Sequence, residues 1–221
     1  MKKRSTGLFI IGAIALIAFV IWTALVCVVD VKPIGPNNTS VGFSALNEYV
    51  HSLTSENMLL YEITDWLGLV PIMVALGFAT LGVIQWIKRK SLVKVDKSLF
   101  VLGGFYIVVI ALFIFFEIAI INYRPVLING CLEASYPSST TLLVMCVMPT
   151  AIMQLNAYIK NTVFKRITAF VMIAFTAFMV IGRLISGVHW ISDIIGGVLL
   201  SFGLVTVYCA TTLLISDSVK S

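Results

Sequence analysis

Apolar and polar residues alternate along this chain in long blocks rather than at short helical or strand periods. Leu8 to about Val29 is an uninterrupted apolar run, preceded by Lys2, Lys3 and Arg4. A run of this length crosses the hydrocarbon core of a bilayer. It is too long for the apolar region of a secretory signal, and no small-residue cleavage pattern follows it. Further apolar blocks predict spans from about Met58 or Trp66 to Ile87, from Leu99 to Ile121, from Thr141 to about Tyr158, from Ile167 to Ile185 and from Ile191 to Ile215. Pro71 lies inside the second block, which predicts a kink or a late start there. The longest polar connection runs from Asp30 to about Asp65, and Pro33, Gly35, Pro36, Asn37 and Asn38 break structure within it. After them Phe43, Leu46, Val50 and Leu53 recur at helical spacing, with Glu48 and His51 off that face. That spacing predicts a short interfacial helix lying on the membrane or capping the bundle, with His51 solvated.

Composition agrees with this pattern. Of 221 residues, 60% are apolar and 11% charged, far below the charge content of soluble domains. The chain reads as an all-α integral membrane protein: a six-transmembrane-helix bundle with an extracytoplasmic interfacial helix, forming one membrane domain over residues 1–221. The net charge of +5 does not point to nucleic acid, because the basic residues border apolar runs. Lys2, Lys3, Arg4, Lys88, Arg89, Lys90, Lys94, Lys97, Lys160, Lys165, Arg166 and Lys220 fall on one side of a six-span topology, and only Lys32, Arg124 and Arg183 on the other. The positive-inside rule then puts both termini in the cytoplasm. Cys27, Cys131, Cys146 and Cys209 form no CxxC pair and read as small apolar residues rather than a disulfide or metal framework. The tripeptides beginning at Asn37 and Asn38 match the glycosylation sequon, a pattern common by chance.

Three polar clusters open on the extracytoplasmic side of this topology. Glu117 is followed seven residues later by Arg124-Pro125. Pro137-Ser138-Ser139-Thr140 begins the fourth span, with Ser138 as the expected N-cap. Gly182-Arg183 leads to His189 and Asp193 between the last two spans. An ionisable group at membrane depth is costly and marks a functional site by default. His189 and Asp193, four residues apart, share a face if the segment is helical, and a carboxylate bonded to one ring nitrogen leaves the other as an aimed base or nucleophile. Two arginine forks and a helix N-terminus suit phosphate oxygens. Taken singly, Ser138 could be a simple cap, Arg124 a lipid-headgroup anchor, and the third cluster a polar helix end.

Together the clusters resemble the three motifs of the phosphatidic acid phosphatase type 2 family, K-x6-R-P, P-S-G-H and S-R-x5-H-x3-D. The matches are Glu117-x6-Arg124-Pro125, Pro137-Ser138-Ser139-Thr140 and Gly182-Arg183-x5-His189-x3-Asp193, over residues 117–193. The resemblance implies a lipid phosphatase needing no metal or other cofactor. His189 would attack phosphorus, Asp193 would orient it, and Arg124, Arg183, Ser138, Ser139 and Thr140 would surround the phosphoryl group. Its partner would be a membrane lipid substrate, with no obligatory protein partner, in the plasma membrane of a bacterium. Four departures stand out. Glu117 replaces a lysine, Ser139 a glycine, Gly182 a serine, and Thr140 the histidine that protonates the leaving group. Glu117 could supply the lost acid if protonated at the membrane edge. Alternatively the leaving group needs little help. An alkoxide leaves from a conjugate acid with a pKa near about 16, a phosphate from one near about 6. An isoprenoid diphosphate such as undecaprenyl diphosphate is therefore the favoured substrate. A phosphotransferase sharing the phospho-histidine, a non-catalytic lipid-phosphate binder and a transporter are the competing classes; the polar residues gather at one face, unlike midplane transporter sites.

Overall fold

In the computed structural model, which describes residues 2–218, the chain is helical throughout its long apolar blocks. Among the described residues eight α-helices follow one another: α1 Lys2–Val28, α2 Ser44–Thr54, α3 Met58–Leu67, α4 Leu69–Arg89, α5 Lys97–Ile118, α6 Ser139–Tyr158, α7 Thr162–Ile185 and α8 Ile191–Ser218. Among the described residues six segments are long and apolar enough to cross a membrane, with α3 and α4 forming one of them, Met58–Arg89. Backbone hydrogen bonds satisfied within each segment are what make helices the stable form in lipid. Among the described residues, strand pairing is confined to isolated bridges such as Lys32 with Val41 and Ile128 with Cys131.

The most buried span is α6, with half of its apolar window inside the protein. It packs against α4, α5, α7 and α8, and α1 lies along α8. Small residues set the closeness of the last pair. A Cβ on Gly12 would come within 2.7 Å of Val207 Cγ2, and one on Gly203 within 2.7 Å of Leu16 Cδ2. Association of helices in lipid depends on such close packing, because apolar burial gives no net drive there. Lipid-facing positions remain apolar and exposed, among them Ile10, Ile14, Ile107, Phe170 and Ile173.

Two expectations need refinement. The second span starts at Met58 and breaks at Gly68, three residues before Pro71; the proline has no N–H to give the Leu67 carbonyl. At 1.5 Å rise per residue, the 32 residues of Met58–Arg89 reach about 48 Å, longer than a hydrocarbon core of about 30 Å. The α3 half therefore extends past the core at the end where the polar clusters lie. The helix predicted after Phe43 is present as α2, but the predicted apolar stripe is not its buried side, and Glu48 and Ser52 are exposed. Ser44 and Asn47 are buried, while Leu46, Tyr49 and Leu53 face out, the arrangement of a helix seated on the bundle with apolar residues left for lipid. His51 is not solvated. It is half-buried, with Nε2 3.1 Å from the Gly187 carbonyl and its ring 5.5 Å from that of Trp190.

The opposite end has shorter connections. There Asp96 binds Gln85 (2.7 Å), Arg89 (2.9 Å) and the Tyr158 hydroxyl (3.1 Å). The Gln85 hydrogen bond leads the interactions that hold the Asp96 carboxyl below its usual range.

Candidate phosphate site

The turn between α7 and α8 and the start of α8 are gripped by five other segments. Gly187 has φ +69°, and a Cβ there would lie 2.1 Å from the Ser55 carbonyl oxygen, so this position requires glycine. The Asn57 N–H donates to the Ser186 carbonyl (3.0 Å), tying the start of α3 to the turn. Trp190 Nε1 donates to the Tyr123 carbonyl (2.8 Å) and Trp22 Nε1 to the Ser192 carbonyl (3.0 Å). Asn47 of α2 clamps the beginning of α8. Its Oδ1 accepts from the Ser192 N–H (3.1 Å), and its Nδ2 donates to Ser192 Oγ (3.0 Å) and the Gly42 carbonyl (2.7 Å). The Ser138 N–H donates to the Asp193 carbonyl (3.1 Å), so the starts of α6 and α8 are joined directly.

His189 and Asp193 are both buried. Their nearest atoms, Nδ1 and Oδ2, are 3.8 Å apart, beyond hydrogen-bond range. Asp193 is held by other donors: the Trp190 N–H at 3.0 Å on Oδ2, and Asn122 Nδ2 at 3.2 Å and Ser192 Oγ at 3.4 Å on Oδ1. Neither ring nitrogen of His189 has a hydrogen-bond partner among the described residues. Burial depresses its pKa well below the ordinary imidazole value, and the positive charges of Arg124 and Arg183 depress it further; the Ser135 backbone opposes them. The ring is therefore neutral near pH 7, with a lone pair available.

Arg124 and Arg183 complete a positive cradle. Arg183 donates from Nε (3.0 Å) and Nη2 (2.8 Å) to Thr140 Oγ1, and from Nη2 to Asp65 Oδ1 (2.7 Å). Arg124 Nε lies 3.1 Å from Glu133 Oε2. Tyr61 of α3 stands between the two, its ring centroid 5.7 Å from the Arg124 guanidinium carbon and 5.0 Å from that of Arg183, within cation–π range. Arg124 Nη1 and Arg183 Nη1 are buried without hydrogen-bond partners, and Arg124 Nε meets Glu133 at ion-pair distance without hydrogen-bond geometry. Unpaired buried donors on charged groups are expensive. Two of them beside an unpaired imidazole describe a receptacle for an anion that can accept from both forks.

The remaining sequence candidates fall into two groups. Ser138 is fully buried as the N-cap of α6, its Oγ accepting from the Thr141 N–H (3.4 Å) and hydroxyl (3.1 Å). Ser139 and Thr140 form the first turn, where backbone N–H groups have no carbonyl to bond and favour an anion. Thr140 itself is engaged in fixing Arg183. Glu117 is exposed in the last turn of α5 and lines a small recess with Ser135, Tyr136, Pro137 and Ser139 rather than contacting Arg183. Sequence reasoning missed Tyr61, Asp65, Asn122, Glu133 and Asn47. Tyr61 and Asp65, four apart at the polar start of a span, carried a readable signal. Asn47, a polar residue among the apolar positions of a short helix, carried a weaker one. Among the described residues no group of three or more His, Cys, Asp or Glu side chains is placed to hold a metal ion.

Residues 110–214 match the family model of the PAP2 superfamily. No curated protein matches the chain. Among solved structures, the fold is similar to the crystal structure of the first transmembrane PAP2 type phosphatidylglycerolphosphate phosphatase from Bacillus subtilis. The TM-score is 0.58 and the identity 18%, with 93% of this chain and 96% of that one covered. At that identity the likeness speaks for the fold.

Proposed function

We propose that this multi-pass membrane protein, whose residues 110–214 match the family model of the PAP2 superfamily, hydrolyses a lipid phosphate or diphosphate through a phospho-histidine. The observation that carries the proposal is the set of buried, unpaired polar atoms on His189, Arg124 and Arg183. Its positive charge and open donors fit a terminal phosphoryl group. In the proposed reaction His189 Nε2 forms a bond to phosphorus as the bond from phosphorus to the leaving oxygen breaks. Nδ1 keeps its proton toward Asp193, whose carboxylate steadies the imidazolium as it forms. Water then attacks phosphorus, a proton passes to solvent, the N–P bond breaks, and inorganic phosphate leaves with the imidazole neutral again. Arg124, Arg183 and the first-turn N–H groups of Ser139 and Thr140 would hold the equatorial oxygens, with Ser138 keeping that turn in shape.

A diphosphate is the favoured substrate. Thr140, which takes the place of the family's acid, has its hydroxyl oxygen committed to two donors from Arg183. A leaving lipid monophosphate needs far less protonation than an alkoxide. Glu117 is the second candidate for the acid, acting from the recess it shares with Ser139. An apolar groove of about 510 Å³ between α4, α5 and α6, half open to the surroundings and lined by none of the site residues, offers room for part of a lipid chain along the bundle. The asymmetry of basic residues supports an extracytoplasmic site, and the plasma membrane of a bacterium is the location proposed with it. A membrane lipid is then the only partner the reaction needs.

The test is phosphate release in detergent from a lipid diphosphate and a lipid monophosphate, by the wild type and His189→Ala. Release by the wild type, faster from the diphosphate and abolished in the variant, is expected. Equal release by both proteins removes His189 as nucleophile, and binding without release by either favours a lipid-phosphate-binding role. If Glu117 is the acid, Glu117→Gln lowers monophosphate turnover far more than diphosphate turnover.

A further inference from the structure

Both arginines of the cradle face carboxylates that no motif contains. The Arg183 side chain is 3% exposed and its partner Asp65 56%. The Arg124 side chain is 10% exposed and its partner Glu133 40%. In each pair the cation is buried and the carboxylate sits at the rim, within reach of whatever arrives from the membrane surface. The two carboxylates come from unrelated parts of the chain, Asp65 from α3 and Glu133 from the loop before α6. The Tyr61 ring lies within cation–π distance of both guanidiniums. The inner face of the cradle stays unfilled: Arg124 Nη1, Arg183 Nη1 and His189 lack partners there.

Resting on the phosphatase reading above, we propose that Asp65 and Glu133 are specificity-determining counterions that keep phosphodiester headgroups out of the cradle and yield to a terminal phosphate. Any enzyme of this kind is surrounded by phosphodiester lipids. Each phosphodiester carries a single negative charge, whereas a terminal phosphate carries about −1.5 to −2 at neutral pH. Coulomb attraction to the arginines scales with that charge. A bare pair of arginines would bind both classes, and the more abundant one would block the site. Two carboxylates already paired with the forks set a threshold. An incoming monoanion gains no more charge attraction than it displaces and brings a bulky second ester. A terminal phosphate brings up to twice the charge and three free oxygens for the unpaired donors. Each carboxylate lies partly in solvent and regains its hydration when displaced, so a terminal phosphate can take its place on the buried guanidinium.

The experiment measures turnover of a lipid diphosphate in neutral-detergent micelles, with and without added phosphatidylglycerol, a monoanionic phosphodiester. The proteins are wild type, Asp65→Asn, Glu133→Gln, the double variant and Asp65→Glu. Without phosphatidylglycerol, KM is expected to fall about two- to fivefold in each neutral variant, since the competing carboxylate is lost. With it, the wild type and Asp65→Glu keep their KM, while in the double variant KM rises at least about fivefold with kcat unaffected by the added lipid. A role confined to holding α3 or the loop in place would instead change thermal stability and kcat without sensitivity to phosphatidylglycerol. A double variant insensitive to the added lipid, or a wild type inhibited as strongly, overturns the proposal and leaves the phosphatase reading standing. No turnover by the wild type, with inorganic pyrophosphate failing to raise its melting temperature, overturns both.

Discussion

Adding one methyl group at Gly187 should be far more damaging than adding one at Gly130, although both residues lie in the left-handed region. Gly187 has φ +69° and Gly130 φ +78°. Either residue pays about 1–2 kcal/mol when it gains a Cβ in that conformation. Around Gly130 nothing lies within 4 Å of the new atom, so the backbone term is the whole effect. At Gly187 the same atom would lie 2.1 Å from the Ser55 carbonyl oxygen and 2.9 Å from its carbon. The Ser55–Asn57 segment has to retreat by roughly 1 Å to restore ordinary contact. That movement strains the bond from the Asn57 N–H to the Ser186 carbonyl and the contact of His51 Nε2 with the Gly187 carbonyl. Each is worth about 0.5–1.5 kcal/mol net. The total for Gly187→Ala is then about 3 kcal/mol, against about 1 kcal/mol for Gly130→Ala. In a protein of this size that corresponds to a loss of about 6–12 °C in melting temperature, against about 2–4 °C. Activity separates them further. The displaced turn carries His189, and a misplacement near 1 Å in a reacting group costs about a hundredfold. Thermal melts in detergent, with phosphate release from a lipid diphosphate, measure both quantities. Equal melting temperatures for the two variants, or Gly187→Ala within twofold of wild-type turnover, would refute the view that the α2–α3 junction sets the position of His189.

Other expectations follow from individual contacts. Thr140→Val removes the acceptor of two Arg183 hydrogen bonds and should raise KM about tenfold, with Thr140→Ser recovering most of it; a valine variant with wild-type KM rules out this role. Asn47→Ala leaves the buried Ser192 N–H and the Gly42 carbonyl without their side-chain partner and should cost about 2–3 kcal/mol, seen as a lower melting temperature; a change under about 1 °C would count against the clamp. His189 is held neutral when folded, so the unfolded chain takes up its proton near about pH 6.5 while the folded one does not. Stability from this group is thus present above that pH and lost as pH falls below it. From about pH 7.5 to about pH 5.5 the wild type should lose about 1.4 kcal/mol more than His189→Gln. Melting curves of the two that run parallel across this interval would contradict a neutral buried imidazole.

Hydropathy alone determined the six spans, because an apolar block long enough to cross lipid has no other stable place to lie. It also gave a side of the bundle to each polar cluster, and the spacing within Gly182–Asp193 brought an arginine, a histidine and an aspartate into one turn. The α2 helix was legible too, since its period is local. Which face of it turned inward was not, because burial of Asn47 depends on Ser192, distant in the chain. The same limit applies to the site. Local spacing suggested a bonded His189–Asp193 pair; the fold leaves them 3.8 Å apart, with the aspartate engaged by Asn122 and the Trp190 backbone. The sequence marked two arginines, while only tertiary packing brought Tyr61 between them and set Asp65 and Glu133 as their partners. Periodicity and spacing report what a residue does to its own helix. Charge pairing and hydrogen-bond satisfaction are settled between segments far apart in the chain, and here those contacts decide which donors remain open to a phosphate.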